Sequence, residues 1–236
     1  NFIGYMPESL RAKTQVTAIE KDDISARILS VLYPEVETIA TGLENYLQPG
    51  PVDLVIGNVP FGAQKVYDPN HRALCRFPIH NYFIGRGADM LKEGGLLAML
   101  TTSGTLDAVG REFRRELARE QGMCLMGAIR LPSCAFSDTG TGVTTDLLLM
   151  QKRGEATVVR NSGEIGFCPF VETLDVAIDS DIDSDTEGQE EETRLLTINE
   201  YYAERPAQML GQMQFADQNG GAYRSDSQGL YLKTPE

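Results

Sequence analysis

Residues 52–62 read VDLVIGNVPFG. The first five are apolar apart from Asp53 and have the length of a buried strand. The run then meets Asn58, Pro60 and Phe61, which a strand interior does not favour. At the carboxyl end of a strand the three make a different kind of sense. Asn58 offers an amide oxygen that can accept a hydrogen bond from an exocyclic amine. Pro60 biases Val59 toward an extended backbone, which can aim the Val59 carbonyl as a second acceptor. Phe61 offers a face for a flat ring. Two acceptors on one NH2 oppose delocalisation of its lone pair, an interaction that strengthens as positive charge develops on nitrogen. The same four residues also read as a plain turn with a core plug, because Asn and Pro are turn residues. On their own they leave both readings open.

Working outward, the flanking segments alternate. VTAIE (16–20) is a short apolar run, and KDDISARILSVLY (21–33) carries Ile24, Ile28 and Leu32 at helical spacing with Asp22 or Asp23 as N-cap. VETIAT (36–41) is a second strand candidate. IHNYFIGRGADMLKEGG (79–95) places Ile79, Phe83, Met90 and Leu91 on one helical side, with Gly94-Gly95 as its end. LLAMLTT (96–102) is a further apolar strand, and GREFRRELAREQG (110–122) a charged helix closing at Gly122. MGAIRLP and TTDLLLMQKR look like two last strands, with no crossover helix between them, so they are expected to be antiparallel. The pattern predicts an α/β fold: a mostly parallel sheet covered on both faces, ending in an antiparallel hairpin. The expected division is a catalytic body over 1–160, an acidic flexible segment over 161–195, and an extension over 196–236 with a short helix.

The chain has 236 residues and a formal charge of −13. Residues 172–193 hold ten acids and no Lys or Arg, whereas residues 1–171 hold 17 basic and 19 acidic side chains, a net of −2. The acidity therefore belongs to one segment, read as a solvated loop, and the body is not barred from DNA. Cys75, Cys124, Cys134 and Cys168 are scattered and the histidines are only His71 and His80, which argues for reduced cysteines, a cytoplasmic setting and no metal. No apolar run approaches the ~20 residues of a membrane span, and no signal peptide is visible. Asn1 followed by Phe-Ile suggests a chain that begins inside a domain.

In an open α/β sheet, ligands bind beyond the carboxyl ends of the strands. Glu20 ends the first candidate strand, where a carboxylate can take both hydroxyls of a ribose. TGLENY (41–46) follows the second, with Leu43 or Glu44 available to flank an adenine ring.

In their order, these segments resemble the S-adenosylmethionine-dependent amino-methyltransferases, especially the N6-adenine DNA methyltransferases. DLVIGNVPFG is similar to their N/D-P-P-Y/F catalytic motif, with Val59 where the family usually has Pro. NFIG resembles the tail of their Gly-rich cofactor loop, and TAIEKD the acid that holds the cofactor ribose. IHNYFIGRGADMLKEGGLLAMLTTSGTLD resembles the helix and strand after the motif, IRLPSCAFSDTGTGVTTDLLLMQKR the last hairpin, and NEYYAERPAQMLGQM a segment of large phage and mobile-element methylase–helicase proteins. The resemblance implies a Rossmann-like class I fold, N-terminally truncated, with the first strand and Gly-rich loop missing. The isolated chain is then expected to bind S-adenosylmethionine poorly or not at all.

The resemblance also implies roles. Asn58 and the Val59 carbonyl would hold the adenine N6 amine, with Pro60 as stiffener and Phe61 stacking on a flipped-out base. Glu20 and Lys21, Asn1 and Phe2, and Leu43 or Glu44 would line the cofactor. Lys65, Arg72 and Arg76, beside His71, would meet DNA. A helicase domain in the same parent chain is a candidate companion. Arg111, Arg114, Arg115 and Arg119 share one charged helix, read either as a phosphate stripe or as a salt-bridged exposed face. His80 reads as structural. The alternatives are an amino-methyltransferase acting on RNA or on a protein glutamine, and a non-catalytic antirestriction or binding module on a methylase scaffold.

Overall fold

The computed structural model describes residues 2–133, 135–136, 143–154, 169–178, 194–215 and 230–233. Its first half alternates as the apolar runs predict: a short helix α1 (Glu8–Arg11), then β1 (Thr17–Glu20), α2 (Asp23–Leu32), β2 (Glu37–Ala40) and β3 (Val52–Asn58). Asp22 is the N-cap of α2, accepting the Ser25 N–H at 2.7 Å. The loop after β3 leads into α3 (Ile79–Met90), which passes directly into β4 (Leu91–Thr102). The helix therefore ends before Gly94-Gly95, not on it. Gly94 takes a positive φ of 74°, and the β3–β4 register shifts between Val52 and Leu54, so the glycine pair sits in an irregular strand entry. Two short helices follow, α4 (Gly104–Asp107) and α5 (Glu112–Arg115), the second continuing as a π-turn over Glu116–Glu120. Then come β5 (Met123–Leu131), β6 (Thr145–Lys152), β7 (Thr173–Ile178), β8 (Arg194–Asn199), α6 (Glu200–Glu204), β9 (Gln212–Phe215) and β10 (Leu230–Lys233).

The main sheet has the order β3-β4-β6-β5. β3 and β4 are parallel, while β4–β6 and β5–β6 are antiparallel. β1 and β2 form a separate parallel pair, and β7–β8 and β9–β10 are antiparallel. The architecture is thus α/β with mixed sheets, where apolar periodicity alone suggested a mostly parallel one. The terminal hairpin is antiparallel as its short connection requires.

One face of the main sheet is buried beneath α3 and α5, where Leu97, Met99, Leu148, Met150 and Leu125 meet Tyr82, Ile84, Phe113 and Leu117. Gly87 makes the approach close: a Cβ there would lie 2.8 Å from Leu97 and 2.9 Å from Met99. The other face differs from expectation. Leu54, Ile56, Ile129, Leu147 and Leu149 share it by register and are all exposed. Helix α2 likewise turns Ile24, Ile28, Val31 and Leu32 outward and buries Ala26. Both faces were expected to be covered because each strand is apolar throughout; among the described residues only one is.

The C-terminal part is tied into the strand ends by a buried polar brace. Arg130, on β5, donates from Nε and Nη2 to the Asp146 carboxylate at 2.8 and 2.9 Å. Its Nη1 lies 2.6 Å from Asp107 Oδ2, and its guanidinium stacks 4.2 Å from the Tyr202 ring centroid. Asp107 Oδ1 accepts the Asn199 N–H at 2.9 Å, and Asn199 Nδ2 donates to the Leu106 and Phe170 carbonyls. Burial pushes the Asp107 carboxyl up, against the opposing pull of Arg130. Burial also works against the Arg130 charge, but Asp146 and Asp107 outweigh it and hold the guanidinium charged. Tyr201 Oη bonds both the N–H and the C=O of Ala128, beside the register shift in β5. β7, expected within a flexible acidic segment, is a strand paired with β8. Residues 179–193, with most of the acids, lie outside the described residues.

Candidate active site

The NVPF stretch sits where β3 runs out. Asn58 is the last residue of the strand and its side chain is exposed. Val59 turns inward to 4% exposure, and its N–H donates to the Leu100 carbonyl of β4 at 3.1 Å. That bond extends the parallel ladder one residue past the strand and fixes the backbone where the second acceptor is expected. Pro60 is exposed, and Phe61 is half-buried with its ring against the core cluster. Gly62 then takes a φ of 153°, and a Cβ there would stand 3.0 Å from the Gln64 amide oxygen. The four residues therefore alternate out, in, out and half-in, with the Asn58 amide free of hydrogen bonds among the described residues.

The turn is backed by the start of α3. His80 is buried, and burial lowers its pKa, with the Gly62 backbone pulling the other way. Next to it Asn81 Oδ1 accepts Thr105 Oγ1 at 3.1 Å, and Thr105 meets Thr101 Oγ1 at 2.8 Å. A polar chain thus joins α3, the end of β4 and α4 behind the motif. Asn81, Thr101 and Thr105 carry no signal in the sequence beyond polar residues within apolar periods.

The loop from Gly62 to Pro78 is organised by Asp68, which is 1% exposed. Its carboxylate accepts Tyr82 Oη at 2.7 Å, His71 Nδ1 at 2.9 Å and the N–H groups of Asn70 and His71 at 2.9 and 3.1 Å. Arg86 Nε lies 3.6 Å away. Burial would raise the Asp68 pKa, but the Tyr82, Asn70 and His71 bonds hold it below the usual carboxylate range. Asp68-Pro69-Asn70 is a turn signature that could have pointed to this anchor.

The residues expected at a cofactor site gather in part. Glu20 ends β1 half-buried, with one oxygen accepting the Asp22 N–H at 2.9 Å. Lys21 Nζ reaches Glu44 Oε1 at 3.2 Å, which brings the ends of β1 and β2 together. Leu43 packs against the core beside Glu44. A half-buried carboxylate with an oxygen to spare can accept the hydroxyls of a ribose. Phe2 is exposed, and Asn1 lies outside the described residues.

Of the expected nucleic-acid contacts, Lys65 and Arg72 are exposed and without an ion-pair partner among the described residues. Arg76 is engaged, with Nη2 2.9 Å from Glu116 and its guanidinium 4.7 Å from the Phe77 ring centroid. The arginine-rich helix is not a phosphate stripe. Arg114 is buried and donates to the Val171 and Ala108 carbonyls at 2.8 Å, and Arg111 and Arg115 pair with Glu172. Alternate Glu and Arg residues made that helix look wholly solvent-facing, and only its docking on residues 170–172 turns Arg114 inward. Among the described residues no three His, Cys, Asp or Glu side chains group to hold a metal, and no helix is long and apolar enough to cross a membrane.

No protein-family model matches the chain. Over 158 residues, 63% of this chain, it is 29% identical to Defense against restriction protein B of Escherichia phage P1, and the match covers 7% of that protein. Similar solved structures include class I S-adenosylmethionine-dependent methyltransferases and parts of type I restriction-modification systems. One, assigned to the former class and from Listeria monocytogenes, has a TM-score of 0.46 and 23% identity, covering 62% of this chain and 48% of that one. Another, assigned as the modification subunit of a type I restriction enzyme of Vibrio vulnificus YJ016, has a TM-score of 0.46 and 18% identity, covering 63% and 35%. The chain spans less than half the length of each of these relatives.

Proposed function

We propose that this chain carries the catalytic part of an S-adenosylmethionine-dependent methyltransferase acting on the N6 amine of adenine in DNA. The observation that carries the reading is the arrangement at the end of β3: an exposed Asn58 amide with no competing hydrogen bond among the described residues, a Val59 backbone locked to β4, and a half-buried Phe61 two residues on. Asn58 and the Val59 carbonyl would hold the amine, and Phe61 would stack on the base drawn out of the duplex. Glu20 would take the cofactor ribose, with Lys21, Leu43 and Glu44 around the adenine and Asn1 and Phe2 at the methionine side. The cofactor would supply the methyl group. The chain's part is to orient the amine and concentrate electron density on its nitrogen, so positioning is the main source of rate. Lys65 and Arg72 would meet phosphates. Arg76 would do so only by giving up Glu116. Residues 1–160 would form the catalytic unit.

The open apolar face of the main sheet, and the fact that β1 and β3 each have one strand partner among the described residues (β2 and β4), support a further reading, in which a strand and a Gly-rich loop outside these 236 residues complete the fold. A helicase in the same parent protein belongs to that reading. The phage relative's name supports a role in countering restriction, and a module that does so without catalysis is the second reading.

Incubation of the full-length parent protein with methyl-labelled cofactor and DNA, RNA or protein separates these. Label in DNA that digests to N6-methyladenine is the expected result, and label found only in RNA or protein refutes the DNA reading. Asn58→Ala should cut transfer by about 10²–10³-fold, as removal of one preorganised transition-state hydrogen bond does. The melting temperature should stay unchanged. Absence of transfer alongside tight DNA binding supports the non-catalytic module.

A further inference from the structure

We propose that Tyr67 is a base-stacking contact to DNA, its ring packing against a base near the one drawn toward Asn58. The inference rests on the DNA reading above and adds to it a residue on the loop behind the motif.

Tyr67 is 83% exposed. A lone exposed aromatic is common, and Tyr5 at 90% is another. What distinguishes Tyr67 is how it is held. The residue before it, Val66, packs against the core, and the residue after it, Asp68, is the buried hub of the loop. The Asp68 N–H and C=O both meet Cys75 Sγ at 3.2 Å, and its carboxylate is held by Tyr82, His71 and two backbone N–H groups. The Tyr67 backbone is pinned on both sides while its ring projects into solvent. Such a ring loses little conformational entropy when a flat partner covers it, which makes it an efficient stacking platform.

Charge and position point to a base as that partner. Lys65 and Arg72 lie within five residues of Tyr67 along the chain, both exposed and unpaired among the described residues. A cation on either side of an aromatic ring is the pattern of a surface that tracks a phosphate backbone while stacking on its bases. Tyr67 lies six positions after Phe61, so their Cα atoms stand at most ~22 Å apart, about six base steps along one strand. Extruding a base leaves a gap in the stack, and enzymes that bend or open DNA fill such gaps with apolar or aromatic wedges.

The chain contains no tryptophan, so Tyr67→Trp introduces a single indole at the position in question. With a duplex DNA oligonucleotide as probe at fixed salt, the expected result is quenching of the indole emission that saturates with binding. Tyr67→Ala should weaken DNA affinity by about 5- to 150-fold, Tyr67→Phe should bind as the parent does, and Tyr5→Ala should have no effect. All four variants should melt like the parent, since the altered rings are exposed. An indole whose emission is unchanged at saturating DNA, or a Tyr67→Ala protein that binds DNA as the parent does, overturns the proposal. If the parent methylates DNA while Tyr67→Ala binds normally, this inference falls and the activity stands. If DNA quenches the Tyr67→Trp indole but the parent transfers no methyl group, the activity falls and the stacking contact stands.

Discussion

Replacing Arg130 by Met removes the centre of the buried brace without changing side-chain size much. Arg130 is fully buried, with two charge-assisted bonds to Asp146, an ion contact to Asp107 and the Tyr202 ring beneath it. Taking it away leaves two carboxylates buried together, one of them fully inaccessible. Breaking a buried pair in this way costs about 3–5 kcal/mol, because the remaining charge has lost its partner and cannot recover water. For a chain of this size 1 kcal/mol corresponds to about 2–4 °C, so the melting temperature should fall by about 6–20 °C. Urea unfolding followed by circular dichroism reads the same change. The second half of the test is Arg130→Met combined with Asp146→Leu. Removing the stranded carboxylate should recover at least ~1 kcal/mol, since apolar replacement of a buried pair is often neutral or stabilising. A single variant that loses less than ~1 kcal/mol, or a double variant less stable than the single, refutes the view that the brace is a desolvated charge cluster whose members depend on one another.

Two further outcomes follow from the geometry. His80 has a folded pKa below its ordinary 6.5, because burial disfavours the charged ring and the Gly62 backbone only partly offsets this. The unfolded chain therefore binds the proton first as pH falls. The contribution is fully present above pH 6.5 and is lost as pH falls toward the folded pKa, with a slope of at most ~1.4 kcal/mol per pH unit. Unfolding free energies measured on either side of that pH should show His80→Gln with a shallower dependence than the parent, and equal slopes would count against a buried neutral ring. Tyr201→Phe keeps the ring but leaves the Ala128 N–H and C=O without the phenol bonds they make. The expected loss is about 1–3 kcal/mol, with faster amide hydrogen exchange at Ala128; unchanged exchange would show that water replaces the hydroxyl.

Much of the site was legible because its signals are local. A strand-length apolar run interrupted by Asn, Pro and Phe locates β3 and its carboxyl end, and the structure puts Asn58 there. Glu20 at the end of β1 and the short Leu43-Glu44 turn after β2 are local in the same sense. The pairing of Lys21 with Glu44 was not foreseeable, since it spans 23 residues and two strand ends. Nor was the fate of the charged helix: Arg114 and Arg111 look alike in sequence, yet one is buried against Val171 and the other is exposed. Tyr67 and Asp68 carry no local signal beyond the Asp-Pro-Asn turn, being one tyrosine and one acid in a loop.

The sequence by itself located β1 to β6 and the helices α2, α3 and α5, though not all of their ends, and it placed the Asn-Val-Pro-Phe turn at a strand end, because periodicity and turn chemistry act between near neighbours. Only the tertiary structure decided that the sheets are mixed, that one sheet face is covered and the other open, and that Asp68 and Arg130 are buried. Those outcomes depend on partners far along the chain: Asp107 meets Asn199 across 92 residues, and Arg130 needs Asp146, Asp107 and Tyr202 together. A polar side chain is buried only where such partners repay its lost hydration.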